Sequence, residues 1–144
     1  MLLLNPDSVF YAMFYPFVWN TAGKEQPGGF YPLATSKNRE MTFVRDSSDS
    51  FVLMPEGGFM IEPAAYFMRS KDEKFYEGQT IFYPKLTVTI MNTLDDGRPG
   101  AIRVELDEAL ESKKVKIIYC DSSQFLPLKL PSIGHEIRVP QCKE

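Results

Sequence analysis

The sequence predicts one mainly antiparallel all-β domain, a sandwich or a partly closed barrel of about seven to nine strands. Short apolar runs alternate with a period of two, which is the period of a half-buried strand. Turn-forming residues separate these runs, and the 144 residues include 11 prolines and 9 glycines that recur along the chain. No apolar 3.6-residue pattern is long enough for a major helix, and no linker divides residues 1–144 into two domains.

Two short runs in the first half predict a β-hairpin. Met41–Arg45 and Phe51–Met54 are rich in apolar and β-branched residues, and the polar residues 46–50 between them favour a turn. A Pro-Glu-Gly-Gly sequence ends this hairpin. Beyond it, Phe59–Ile61 and Ala65–Met68 are predicted to form further short strands.

The second half contains the most regular pattern. Within Ile81–Asn92, apolar residues alternate with threonines, and Ile102–Leu106 alternates apolar with charged residues. Residues 94–100 between them are dense in turn formers, so the two runs predict a second hairpin with matching apolar faces. Val115–Cys120 and Ile133–Val139 are predicted strands.

The segment between the second hairpin and the next strand, Asp107–Lys114, contains helix-forming residues. It has room for only about two turns, so we expect a short helix or a helical loop there. This is the one helical element that the sequence predicts.

Composition and charge exclude several classes of function. With 16 basic and 19 acidic residues the formal net charge is -3, so the chain has no general attraction for nucleic acid or anionic membranes. Met1–Asp7 contains no Lys or Arg, and the longest apolar run, Val9–Trp19, is shorter than the ~20 residues of a transmembrane helix. We expect a soluble protein made in a reducing cytoplasm without a signal peptide, with neither nucleic acid nor membrane as a partner.

Cysteine and histidine are too few for most catalytic and metal sites. Without an export signal, Cys120 and Cys142 are both expected to be free thiols. His135 is the single histidine and falls on the apolar side of the last predicted strand, which favours a hydrogen-bonded packing role. The chain has no zinc-ligand spacing, nucleophile motif or phosphate-binding loop. The sequence therefore predicts no metal, no cofactor and no catalytic residue.

Paired carboxylates are the one enzymatic alternative that the composition leaves open. Two acids set across a cleft hydrolyse glycosidic bonds in glycosidases, where exposed rings serve as platforms for the sugar. The candidates for such a pair are Glu56, Glu62, Asp72, Glu73 and Glu77. A chain with 19 acidic residues contains many such pairs by chance, so a carboxylate-dependent hydrolase is the weakest of the predicted functions.

The distribution of aromatic residues is the most unusual feature of the chain. Among its 11 Phe and 7 Tyr many are neighbours, and three such pairs are followed by proline. The neighbouring pairs are Phe10-Tyr11, Phe14-Tyr15, Phe30-Tyr31, Tyr66-Phe67, Phe75-Tyr76 and Phe82-Tyr83. Successive side chains of a strand point to opposite faces, so in a strand one ring of each pair faces the core and the other points away. A following proline confines that point to a strand end, an edge or a bulge.

Two interpretations of these rings remain open. In one, Phe forms the core, Tyr keeps its hydroxyl at the surface, and proline protects edges against aggregation. In the other, the outward rings form a contact surface for another subunit or for a flat ligand such as a sugar. Val9–Trp19 favours the second, because a segment near a chain end has little to bury its rings against. The predicted interface residues are Phe10, Tyr11, Phe14, Tyr15, Phe17, Trp19, Tyr31 and Tyr83.

The first predicted function is therefore that of a non-enzymatic structural or assembly protein. Such a protein packs into a larger homo- or hetero-oligomeric complex, for example as a virion decoration, connector or tail component. The alternative is a β-sandwich module that binds a carbohydrate or another small ligand, with outward Tyr rings and Trp19 as stacking platforms. If the folded chain has a groove lined by such rings, with polar groups at its rim, that groove favours the ligand-binding alternative.

Overall fold

The computed structural model describes residues 1–5, 29–33, 39–61, 70, 72–122 and 124–142. Within these ranges the chain forms ten β-strands and no helix. The strands are β1 (Leu2–Leu4), β2 (Tyr31–Pro32), β3 (Met41–Arg45), β4 (Ser50–Pro55), β5 (Thr80–Tyr83), β6 (Leu86–Thr93), β7 (Pro99–Leu106), β8 (Ile117–Asp121), β9 (Gln124–Pro127) and β10 (Glu136–Val139). They form the two sheets of a sandwich rather than a closed barrel, so the predicted all-β fold is confirmed.

Six strands form an antiparallel sheet in the order β10-β3-β4-β7-β6-β5. Its centre consists of the two predicted hairpins, β3–β4 and β6–β7, which are joined by the pairing of β4 with β7. Phe51 lies opposite Val104 and Leu53 lies opposite Ile102. The apolar residues of these strands therefore face one side, as the period-two pattern requires.

The remaining four strands form a second sheet in the order β2-β1-β8-β9. β1 lies parallel to both of its neighbours, and β8 pairs antiparallel with β9. All three leucines of β1 are at most 2% exposed, a degree of burial typical of a parallel strand that is covered on both faces. Leu2, Leu4 and Ile117 join the inward residues of the six-stranded sheet in one hydrophobic core.

Arg45 is buried at the end of β3 and holds two loops against the sheet. Its Nε donates to the carbonyl oxygen of Ser47 at 3.1 Å, its Nη1 donates to that of Pro131 at 3.2 Å, and its Nη2 forms an ion pair with Glu111. Hydrogen bonding to this guanidinium holds the pKa of Glu111 below its usual value. A buried charge requires such partners, and here they connect three separate segments of the chain.

Prolines mark strand ends, as the sequence predicts. Pro32 is the last residue of the edge strand β2, and Pro84 lies in the turn between β5 and β6. Pro84 also divides the predicted run Ile81–Asn92 into two strands of a hairpin. Pro16, the third proline that follows an aromatic pair, lies outside the described residues.

The predicted short helix Asp107–Lys114 is not formed, and turns take its place. The amide of Leu110 donates to the carbonyl oxygen of Ser48 at 2.8 Å, and the amide of Ser112 donates to that of Ala109 at 2.9 Å. These bonds reach a distant loop or the residue three positions back, whereas a helix requires bonds to the residue four positions back.

The predicted strand Phe59–Ile61 is also not formed. Gly57 and Gly58 have φ of 75° and 81°, and Met60 has φ of 57°. Repeated left-handed residues are incompatible with an extended backbone, so the chain turns where the composition alone favours a strand. The other predicted strand of this region, Ala65–Met68, lies outside the described residues.

The predicted packing role of His135 is wrong. Ile133 and His135 are exposed in the turn before β10, where Gly134 has φ of 80°. Nδ1 of His135 lies 3.3 Å from the carbonyl oxygen of Ile133. The left-handed glycine interrupts the alternation, so only Ile137 and Val139 of the predicted pattern pack against the core.

Cys120 and Cys142 form a disulfide, so the prediction of two free thiols is wrong. Cys120 lies in β8 of the four-stranded sheet, and Cys142 follows β10 at the edge of the six-stranded sheet. The bond therefore links the two layers of the sandwich covalently. Disulfides are rare in reducing compartments, so this one is unexpected in the predicted reducing cytoplasm.

Candidate functional site

The predicted contact residues divide into two groups. Phe10, Tyr11, Phe14, Tyr15, Phe17 and Trp19 lie outside the described residues. Tyr31 of β2 and Tyr83 of β5 are described, and their rings meet edge to face, with centroids 5.9 Å apart and planes at 69°. Because β2 and β5 are the edge strands of different sheets, this contact joins the two layers at one side of the sandwich.

The edge of the six-stranded sheet at β5 is aromatic and uncharged. Phe82 is 79% exposed, Tyr83 is 47% exposed, and Tyr76, shortly before the strand, is 65% exposed. β5 itself contains no charged residue. Natural edge strands usually carry charges, prolines or bulges that prevent pairing with other chains. Features of this kind occur in the turn after β5, at Pro84 and Lys85, and not within the strand. We call Tyr76 together with Thr80–Tyr83 the β5 edge.

The hydrogen bonds to β6 leave one side of β5 free in the described part of the chain. The amide of Ile90 donates to the carbonyl oxygen of Gln79 at 2.9 Å. Bonded and non-bonded pairs alternate along an antiparallel ladder, so the backbone groups of residues 81 and 83 face β6. Those of Thr80 and Phe82 consequently point away from it. Among the described strands, none pairs with that side.

The β5 edge continues onto the outward face of the six-stranded sheet. Phe82 lies opposite Thr87 of β6 on this face. The outward residues of β3, β4 and β6 are uncharged, and the alternation along these strands identifies them as Thr42, Val44, Val52, Met54, Thr87, Thr89 and Met91. The strands β7 and β10 add charged residues to the same face, namely Arg103, Glu105, Glu136 and Arg138. Two of them, Met54 and Met91, are exposed large apolar side chains. A solvent-facing sheet side is usually polar, and this face combines charged residues on β7 and β10 with exposed apolar side chains on β4, β5 and β6.

A cavity of about 240 Å³ opens beside the contact between Tyr31 and Tyr83. The ring of Tyr31 and the side chains of Leu2, Leu86, Leu106 and Val115 form its apolar walls. Charged residues of both signs, Lys85, Asp107, Glu108 and Lys114, also line it. The cavity thus combines an aromatic ring, an aliphatic floor and several hydrogen-bonding groups.

The charged groups around the cavity are partly paired. Nζ of Lys114 lies 2.8 Å from Oε1 of Glu108, and this hydrogen bond lowers the pKa of Glu108 and raises the pKa of Lys114. A carboxyl group with a lowered pKa is ionised at neutral pH, so Glu108 is poorly suited to act as a general acid. Groups of both signs favour a neutral ligand with hydroxyl groups over a simple ion.

Metal-ion binding and hydrolysis by paired carboxylates have little support in the described ranges. No group of three or more His, Cys, Asp or Glu residues there is placed to hold a metal ion. No helix found there is long and apolar enough to cross a membrane. Of the carboxylates considered for hydrolysis, Glu62 lies outside the described residues. The other four, Glu56, Asp72, Glu73 and Glu77, are exposed and none lines the cavity.

Two exposed rings of the β5 edge, Phe82 and Tyr76, are absent from the predicted interface. Tyr83 was expected to point outward and Phe82 inward, whereas Phe82 is the more exposed of the two. The available signal was Pro84, because a turn at Pro84-Lys85 sets Tyr83 opposite Leu86 on the inward face. Phe82 must then point outward.

No protein-family model matches the chain, and neither the curated proteins nor the solved structures give a match. Function is therefore inferred from the geometry of the described residues, chiefly the β5 edge and the cavity.

Proposed function

We propose that the chain is a non-enzymatic assembly subunit that packs against copies of itself in a larger complex. The β5 edge carries this proposal, because it combines exposed rings with outward backbone groups at Thr80 and Phe82. Aromatic side chains bury a large area with few rotatable bonds and are enriched in interfaces. Free donors and acceptors on a sheet edge are a template for another strand.

The outward face of the six-stranded sheet supports the same function. Phe82 on β5 and Met91 on the neighbouring β6 lie on it as exposed apolar side chains, and Met54 on β4 lies beyond the charged residues of β7. Apolar side chains beside an unpaired strand edge add buried area to a contact made through that edge. A virion decoration, connector or tail component is one kind of subunit with these properties, and the predicted contact segment Val9–Trp19 would enlarge its interface.

The mass in solution tests self-assembly. Light scattering after size-exclusion chromatography is expected to give more than the mass of one chain, rising with concentration. Phe82→Lys places a charge on the β5 edge and is expected to weaken association about tenfold or more, the effect of ~1.4 kcal/mol. Ile133→Lys is the matched control, because Ile133 is also exposed but lies next to β10 at the opposite edge of the sheet.

Either of two results would contradict the proposal. A wild-type protein that stays monomeric from micromolar to sub-millimolar concentration does not self-assemble. Oligomers that tolerate Phe82→Lys as well as they tolerate Ile133→Lys do not use the β5 edge.

The cavity favours a second candidate function, the binding of a small ligand. Its volume of about 240 Å³ is below the ~300–1,000 Å³ of drug-sized sites, which restricts the ligand to roughly the size of a monosaccharide. Tyr31 supplies a ring against which the apolar face of a sugar can pack. Asp107 and Lys85 supply an acceptor and donors for its hydroxyl groups.

Nuclear magnetic resonance with a panel of neutral monosaccharides tests this second function. A ligand in the cavity is expected to shift the amide signals of Leu86 and Leu106, which line it. Val115→Phe fills part of the cavity and should abolish these shifts, whereas Ile133→Phe adds the same ring at a distant exposed position and should not. Binding that survives Val115→Phe, or no shift with any sugar, would rule out this site.

A further inference from the structure

We propose that two copies of the chain pair antiparallel through β5, with a two-fold axis between the two Ile81 residues. The six-stranded sheets of both copies then form one continuous sheet. This inference rests on the proposed self-assembly and goes further, because it names the contacting strand and its register.

The outward backbone groups restrict the possible registers. The two residues of β5 whose amide and carbonyl groups point away from β6 are Thr80 and Phe82. In a symmetric antiparallel pair, each residue that faces the second copy must meet another such residue. With Ile81 opposite Ile81 of the second copy, each Thr80 lies opposite a Phe82. Both pairs then exchange their two hydrogen bonds, and no outward group of the strand remains unpaired.

The two neighbouring symmetric registers, centred on Phe82 and on Thr80, each leave one backbone hydrogen bond per copy unmade. If Phe82 lay opposite itself, Thr80 would meet Pro84, which has no amide hydrogen to donate. If Thr80 lay opposite itself, Phe82 would meet Gly78, whose amide already donates to the carbonyl oxygen of Ile90 at 2.8 Å. The register centred on Ile81 is therefore the symmetric one in which both outward residues make all of their bonds.

The side chains of β5 suit a second copy of the same strand. A charge near a two-fold axis meets its own copy, and like charges on opposing residues are destabilising. β5 has no charged residue. On the outward face, the exposed ring of Phe82 would cover Thr80 of the second copy. A pair of one aromatic and one β-branched residue on opposing strands is favourable. On the inward face, Ile81, which is half-buried, would meet an identical aliphatic chain.

Disulfide cross-linking tests the register. In the proposed pair, residue 81 forms a non-hydrogen-bonded pair with its copy at a Cα separation of about 4.5 Å, within the range that a disulfide spans. Ile81→Cys is therefore expected to form a covalent dimer under mild oxidation, on non-reducing gels. Thr80→Cys is the control, because its two copies would lie about 8 Å apart on the diagonal, which is too far to bridge. We expect cross-linking at least about tenfold faster for Ile81→Cys than for Thr80→Cys.

A second arm keeps Ile81 intact, in case that half-buried position tolerates cysteine poorly. A mixture of the Thr80→Cys and Phe82→Cys variants is expected to form a cross-linked heterodimer, because these residues lie opposite each other at about 5.5 Å between Cα atoms. Each variant alone should not cross-link. Cys120 and Cys142 are already bonded to each other, so they do not compete.

The outcomes separate this inference from the function on which it rests. Oligomers that show neither cross-link overturn the β5 pairing and leave self-assembly through another surface. A monomer that shows neither cross-link overturns both. Equal cross-linking of Thr80→Cys and Ile81→Cys indicates random collision and also overturns the register.

Discussion

Replacing Phe51 by alanine is expected to lower the free energy of unfolding by about 3–5 kcal/mol, the usual cost of removing a ring from a packed core. Phe51 on β4 is completely buried and stacks on Phe43 of the neighbouring strand β3, with ring centroids 4.7 Å apart and planes at 20°. The surrounding strands are held by pairing on both sides, so they cannot close the cavity. Urea denaturation followed by circular dichroism measures the change.

Phe82→Ala is the matched control for Phe51→Ala. It removes the same ring from a position that is 79% exposed, so in dilute, monomeric protein the expected change is within about 0.5 kcal/mol. Similar losses in the two variants would show that the β3–β4 hairpin does not form the core. A double-mutant cycle between Phe43 and Phe51 is expected to yield a coupling of about 0.5–1.5 kcal/mol from the stacked rings.

The six-stranded sheet was largely predictable because its strands are half-buried. In β6 and β7 the inward residues are apolar and most outward residues are polar or charged, so the period-two pattern reveals both the strands and their inward residues. The β3–β4 hairpin is marked instead by two apolar runs and the polar turn between them. Their connections are local, and a turn-rich segment marks each hairpin. The pairing within each hairpin then follows from its turn, and the β3–β4 register is regular along both strands. The β6–β7 pairing shifts in register between Ile90 and Thr93, which the period of two does not reveal.

The four-stranded sheet was less predictable for the opposite reason. β1 is buried on both faces, so it shows no alternation, and its parallel partners β2 and β8 are distant in the sequence. No local pattern reveals such a pairing. β9 is short and largely exposed, and it becomes a strand through its pairing with β8.

Residues with a left-handed backbone conformation explain the remaining wrong predictions of strands. Met60 and Gly134 both have positive φ, and each lies inside a stretch whose apolar residues favour a strand. Glycine permits this conformation but does not require it, and for methionine it is uncommon. The sequence therefore did not reveal that Phe59–Ile61 turns, nor that His135 lies outside the last strand.

The candidate site was only partly predictable. The tyrosines Tyr31 and Tyr83 were predicted contact residues, and the structure brings them together across the two sheets. The free side of β5 depends on which strand is last in the sheet, and that order is set by long-range pairing. The cavity likewise depends on β1 and the 107–115 turns meeting β6, which no local pattern specifies.

Reduction of the Cys120–Cys142 disulfide is expected to lower the free energy of unfolding by about 3 kcal/mol. This is the chain-entropy estimate for a cross-link with a sequence separation of 22. Thermal or urea unfolding with and without reductant measures the effect. Cys142→Ala is the matched control, because it should have the stability of the reduced protein and show no further response to reductant.

The same measurement shows whether Cys120 and Cys142 are bonded, as in the structure, or free, as the sequence predicts. The prediction of free thiols followed from the expected reducing cytoplasm, where disulfides are rare. The fold favours the bond, because it places both cysteines in the interior, at 2% and 3% exposure, on segments of different sheets. If reductant leaves the unfolding curve unchanged and both thiols can be alkylated in the unfolded protein without prior reduction, the thiols are free. A loss of stability confined to the wild type establishes the bond, and folding to full stability then requires an oxidising step.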